Sequence, residues 1–162
     1  MVKRFFYWLR FYFTRLFYTI GAIIIALFIL AYFFPPLQQI AEISFLCLAI
    51  TVALDFIIVF AGNKPLTAKR FCTERFSNGD ENKVTIQITN HRSYKIHLEV
   101  IDELPVQFQQ RNWQRNISLN SREVYSFSYF LKPDERGEYL FGIINLFLHA
   151  PLNMVIRHVI SG

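Results

Sequence analysis

Residues 16–34 read LFYTIGAIIIALFILAYFF, nineteen residues without a charge. A helix of about twenty apolar residues covers roughly 30 Å of hydrocarbon, and in lipid its backbone polar groups pair within the segment. Pro35 and Pro36 follow. Proline lacks the amide hydrogen and pushes the residue before it towards extended conformations, so the helix ends and the chain turns. A second apolar run, residues 37–61, is again long enough to cross, and Gly62, Asn63 and Pro65 stop it. The pattern predicts a two-helix transmembrane hairpin over residues 16–63.

Residues 1–15 form a basic and aromatic juxtamembrane segment, whose rings and cationic heads suit the headgroup layer. A secretory leader starts similarly, but no small-x-small cleavage site follows the run. Lys3, Arg4, Arg10 and Arg15 precede the first span. The turn between the spans carries no Lys or Arg, and Lys64, Lys69, Arg70 and Arg75 follow the second. The positive-inside rule therefore predicts a multi-pass membrane protein with both termini in the cytoplasm. The same cluster explains much of the net charge of +5. Later charges are interleaved, so the footprint of a nucleic-acid-binding face is missing and no nucleic-acid partner is expected.

Asp55 is the anomaly, because a carboxylate within a span costs on the order of 3 kcal/mol. Counting back from Asn63 places it roughly 12 Å inside the cytoplasmic end, with Tyr18, Thr19 and Arg15 of the first helix as expected partners. Two readings are open: a proton or ion relay, and a packing or oligomer contact held by hydrogen bonds. A relay wants further polar groups along its path, which favours packing.

Beyond residue 64 the period changes to two. Val84, Ile86 and Ile88 alternate with polar residues, as do Ile96, Leu98 and Val100, then Tyr125, Phe127, Tyr129 and Leu131. Residues 139–149 read as a central strand, with Leu140, Ile144, Leu146 and Leu148 on one side and Gly142 marking a bulge or a close backbone approach. Turn signals lie at residues 77–82, 90–94, 119–122 and 132–137. With TAKRFCTERF and MVIRHVI added, six or seven strands result. The fold class is mainly β with a transmembrane α-hairpin, the β part being an antiparallel immunoglobulin-like sandwich over residues 64–162. The last strand, residues 155–160, is expected at an exposed edge.

Cys47 and Cys72 make no disulfide framework or zinc spacing, and His91, His97, His149 and His158 are scattered, so neither cofactor nor metal is expected. The segment KPDERGEYLFGIINLFLHAPLNMVIR reads as a turn and strand device. Pro133 presets the turn, Asp134 caps it, Gly137 allows a positive φ, and Arg136 can return over Glu123, Glu135 or Glu138. No nucleophile with a base and an orienting group can be assembled, so no enzyme is expected.

That segment resembles the signature of the bacterial family called domain of unknown function 58 (DUF58). The matching residues are Pro133, Arg136, Gly137, Tyr139, Phe141, Gly142, Pro151, Leu152 and Arg157; Ala150 and Asn153 depart from an Asp and a Gly. Asn tolerates the left-handed backbone that a Gly would serve. An acid late in the second helix, Arg75, Asn90, Asp102 and Pro105 fit the same layout. The resemblance implies a longer membrane protein in which a von Willebrand factor A-like domain follows the sandwich, with any metal-dependent adhesion site in that part. It also implies a MoxR-type AAA+ ATPase as partner in the maturation or assembly of other proteins. The expected function is therefore a membrane-anchored, non-enzymatic scaffold or adaptor. The alternatives are an envelope-facing adhesion sandwich on an inverted hairpin and an intramembrane activity built on Asp55.

Overall fold

The structure is a computed structural model and describes residues 10–61, 66–73, 76–108, 113–133 and 138–161. Expectations for Lys3, Arg4, residues 62–65, Arg75 and the 134–137 turn with Arg136 and Gly137 lie outside these residues. Two compact units are formed, one from Met1–Gly62 with His149–Arg157, the other from Asn63–Leu148 with His158–Gly162.

The first unit holds strand β1 (Phe11–Phe13), helix α1 (Arg15–Phe33) and helix α2 (Leu37–Ala61). Thr14 starts α1 as its cap, with extended backbone (φ −77°, ψ 165°) and a hydroxyl oxygen that accepts from the Phe17 amide at 3.3 Å. The Phe34 amide closes the helix on Leu30 O at 3.0 Å, and the prolines prevent another turn. Within α2 the hydroxyls of Ser44 and Thr51 donate to the carbonyls of Ile40 and Cys47, each at 2.7 Å, which pairs two polar side chains inside an apolar helix.

Both helices are long and apolar enough to span a membrane, and only 11 % of each most apolar window is buried. Large side chains face outward all round, among them Ile23, Tyr32, Phe33, Ile43 and Leu46. The helix of a water-soluble core would cover such residues, since each fully buried one is worth about 1.5–3 kcal/mol.

The second unit contains β2 (Thr67–Phe71), β3 (Asn82–Thr89), β4 (Ile96–Asp102), a 3-10 turn at Val106–Phe108, β5 (Gln114–Leu119), β6 (Val124–Leu131) and β7 (Ile144–His149). Strand β8 (Val155–Ser161) starts in the first unit and ends in the second. One sheet has the order β2-β3-β6, fully antiparallel; the other runs β8-β7-β4-β5. Their core is the set that the alternation marks: Val84, Ile86, Ile88, Ile96, Leu98, Val100, Phe127, Leu131, Ile144, Leu146 and Leu148, all buried. β7 is internal, as expected of a central strand.

Two expectations are corrected, and one strand was not expected. The strand predicted from residue 139 begins only at Ile144, and Leu140 is exposed, because the Gly142 amide donates to Glu103 O at 2.9 Å and the Glu103 amide to Ile143 O at 3.2 Å. Those bonds hold residues 142 and 143 against Glu103 rather than in the ladder. Strand β8 is not an edge at its start: Phe11, Tyr12 and Phe13 pair antiparallel with Arg157, Ile156 and Val155. Strand β5 was unforeseen, since QRNISL is polar and exposed along most of its length.

Candidate functional site

Within the first unit, the chain after β7 makes a tight turn. The Asn153 amide donates to Ala150 O at 3.0 Å, Pro151 occupies the first corner, and Asn153 takes the left-handed conformation (φ 57°) that its small polar side chain tolerates. In such a turn the amides of residues 152 and 154 have no turn partner of their own. Asp55 supplies both: Oδ1 accepts from the Leu152 amide at 2.9 Å and Oδ2 from the Met154 amide at 2.8 Å. The carboxylate is fully buried. It is held by charge-assisted hydrogen bonds, which are stronger than neutral ones.

Two further residues complete this anchor. Thr14 donates its hydroxyl to Asn153 O at 2.6 Å and its amide to Met154 O at 3.1 Å while capping α1. Arg157 donates to Val59 O at 3.0 Å, in the last turn of α2, and its guanidinium lies 4.8 Å from the centre of the Phe60 ring. Phe11 meets Phe56 and Phe60 edge-on at 5.6 and 6.3 Å. The turn is thus tied to both helices through backbone atoms.

The partners expected for Asp55 are corrected by this geometry. Tyr18, Thr19 and Arg15 do not hold it; backbone amides do. Counted from the Pro35–Pro36 turn, Arg15 ends the 19 residues of α1, and the nineteenth residue of the 25-residue α2 is Asp55. The acid therefore stands level with the start of α1, and residues 56–61 extend past it.

The remaining sequence candidates gather in the second unit around a buried acid. Asp102, at the end of β4, has a fully buried side chain, ion-paired by Arg70 of β2 through Nη2 and approached by Arg70 Nε at 3.3 Å. Tyr129 of β6 donates its hydroxyl to the same carboxylate. Burial, then the hydrogen bond and charge of Asp102, push the Tyr129 hydroxyl far above its ordinary pKa of 10.0. Arg70 also donates to Gly142 O at 3.1 Å and lies over the Phe141 ring, 4.6 Å from its centre. A Cβ on Gly142 would stand 2.6 Å from Glu103 Cβ, so glycine is required for this approach. Tyr139 packs between Phe76 and Phe108 at 5.9 and 5.0 Å. Pro133 is buried, with its carbonyl accepting from the Gly79 amide at 2.9 Å.

The sequence candidates thus divide: Pro151, Leu152, Arg157 and Asp55 build the anchor, Phe141 and Gly142 meet Arg70 of the Arg70–Asp102–Tyr129 network, Tyr139 packs with Phe76 and Phe108, and Pro133 accepts from Gly79. Thr14, Arg70 and Tyr129 were not foreseen as partners. The signal was present, since Ala68 and Arg70, Val100 and Asp102, and Phe127 and Tyr129 each share one face by alternation. Ionic groups in phase with core residues need partners inside. Chemically both arrangements hold and orient. Both oxygens of each carboxylate are engaged, and the described residues contain no group of three His, Cys, Asp or Glu that could hold a metal.

No family model and no curated protein sequence matches the chain. Among solved structures, a CARDB domain from Pyrococcus furiosus, crystallised in complex with di-metal ions, is similar over 60 % of this chain and 88 % of its own, at 14 % identity and a TM-score of 0.43. A β-glucuronidase from Bacteroides uniformis is similar over 59 % of this chain and 12 % of its own, at 16 % identity and a TM-score of 0.32. These are likenesses of β-domain fold.

Proposed function

We propose that the chain is a membrane-anchored, non-enzymatic scaffold, which mounts an immunoglobulin-like sandwich on a transmembrane hairpin and presents it to a partner on the cytoplasmic side. The observation that carries this reading is the Asp55 anchor. A carboxylate in an apolar helix, spent on two backbone amides of a turn about a hundred positions later, makes the helix the mount of that turn. A relay acid would keep an oxygen for its traffic. The level of Asp55 with Arg15 supports this reading, since α1 covers about 28 Å between that level and the Pro35–Pro36 turn, close to the hydrocarbon thickness. The charges flanking the spans support a cytoplasmic side for that end.

The likeness of residues 133–157 to DUF58 supports a MoxR-type AAA+ ATPase as partner and, in a longer chain, a von Willebrand factor A-like domain. The reading of a hairpin mount for a β domain does not depend on them.

The test is side-specific labelling in intact cells, using single cysteines in the 77–82 turn with the exposed Cys47 and Cys72 removed. Protection until the cells are opened is the expected result. Labelling from outside would sink the cytoplasmic reading and leave an envelope-facing sandwich. If the turn is protected, affinity purification from membranes should recover an AAA+ ATPase; recovery of none removes that partner.

A further inference from the structure

Among the described residues of the second unit, strand β6 forms an edge without the usual protection. Strand β6 pairs with β3 through every residue from Val124↔Thr89 to Leu131↔Asn82, without a bulge, and ends the sheet β2-β3-β6. The Asn90 amide donates to Glu123 O, so residue 123 turns its polar groups towards β3. By the alternation of an antiparallel ladder, residues 125, 127, 129 and 131 do the same. Val124, Ser126, Ser128 and Phe130 therefore direct their N–H and C=O groups away from β3, where the described residues offer them no partner.

Sheet edges are normally blunted by charge, proline, bulges or a cover. The opposite edge, β2, shows this: Ser161 Oγ accepts from the Ala68 amide at 3.0 Å and donates to Ala68 O at 2.8 Å, and the exposed Lys69 follows that point. Strand β5 carries Arg115. Strand β6 reads VYSFSYFL, with neither charge nor proline.

We propose that β6 pairs antiparallel with β6 of a second copy of this chain, about a two-fold axis at Phe127. The strand is self-complementary in that register. Its solvent face carries Val124 and Phe130, 53 % and 58 % exposed, equally far from Phe127 on either side. A second copy running antiparallel sets Val124 against Phe130 and Ser126 against Ser128, then the same pairs in reverse. Two exposed apolar side chains from each copy are covered, the serines meet each other, and no charge opposes a like charge. All four outward-directed residues become hydrogen-bonded pairs, each exchanging both bonds. Such an interface is isologous and closes, giving a dimer and not a fibre. An unrelated strand could use the backbone, but would have to reproduce this spacing of apolar and small side chains to use the face.

The test is the mass of the complete chain in detergent micelles and in nanodiscs, by light scattering, for the wild type and three edge variants. S126P removes an amide that points away from β3, so it blocks the new pairing and leaves the β3 ladder. S126K/S128K sets lysines opposite lysines across the dyad, whereas S126K/S128E sets lysine opposite glutamate. The expected result is two chains for the wild type and S126K/S128E, and one chain for S126P and S126K/S128K. The recovery with S126K/S128E separates pairing from misfolding. A wild-type mass of one chain, or one chain with a bound strand of another protein, overturns the proposal. So does a dimer that persists in S126P and S126K/S128K, because the hairpins would then be the interface.

Discussion

Replacing Asp55 by alanine removes two acceptors at once and leaves the amides of Leu152 and Met154 facing a methyl group. A buried polar group deprived of its partner costs about 1–3 kcal/mol, so the turn at residues 150–154 is destabilised by about 2–6 kcal/mol. Asparagine keeps one acceptor but presents an NH₂ to the other amide, for about 1–3 kcal/mol. Because a factor of ten corresponds to about 1.4 kcal/mol, D55A should speed local opening at these amides by at least about thirtyfold, with D55N between it and the wild type. Hydrogen–deuterium exchange of the complete chain in detergent, read on peptides covering residues 150–156, measures this directly. Protection in D55A within about threefold of the wild type would refute the anchor. A D55N variant with unchanged exchange but lost function would move Asp55 to the relay reading.

Three other outcomes follow from the second unit. R70A leaves the fully buried Asp102 without its cation and should cost about 3–5 kcal/mol in urea unfolding; a loss below about 1 kcal/mol would mean that Asp102 is held otherwise. Tyr129 has its folded-state pKa raised above the unfolded 10.0, so its contribution is fully present below about pH 10 and is lost as pH rises beyond it. Y129F should be less stable near pH 8 yet lose less between about pH 9.5 and 11.5 than the wild type; parallel curves would exclude Tyr129 as the alkaline trigger. G142A drives a Cβ to 2.6 Å from Glu103 Cβ and should cost about 1–3 kcal/mol, recovered in part by E103G/G142A; no recovery would place the strain elsewhere.

The lengths of the two apolar runs, the prolines between them and the period-two alternation beyond residue 64 are local properties. Local physics turns them into elements: a helix must pair its own backbone in an apolar run, and alternating residues must put one face inside. That is why the helices and the strands carrying Ile86, Leu98, Phe127 and Leu146 could be read from the chain alone, and why the polar β5, held by its pairing with β4, could not. Asp55 stood out in the sequence as a cost, but its compensation lay with Leu152 and Met154. Hydrogen bonds to backbone amides leave no trace in residue identity, since any residue but proline donates one. The same holds for the edges. The alternation of β6 fixes its inner face, whereas which strand lacks a neighbour follows from the order β2-β3-β6, a long-range choice among strands of similar pattern. Sequence periodicity therefore determined what the apolar and the alternating segments are, and tertiary pairing decided what holds Asp55 and which strands lie at an edge.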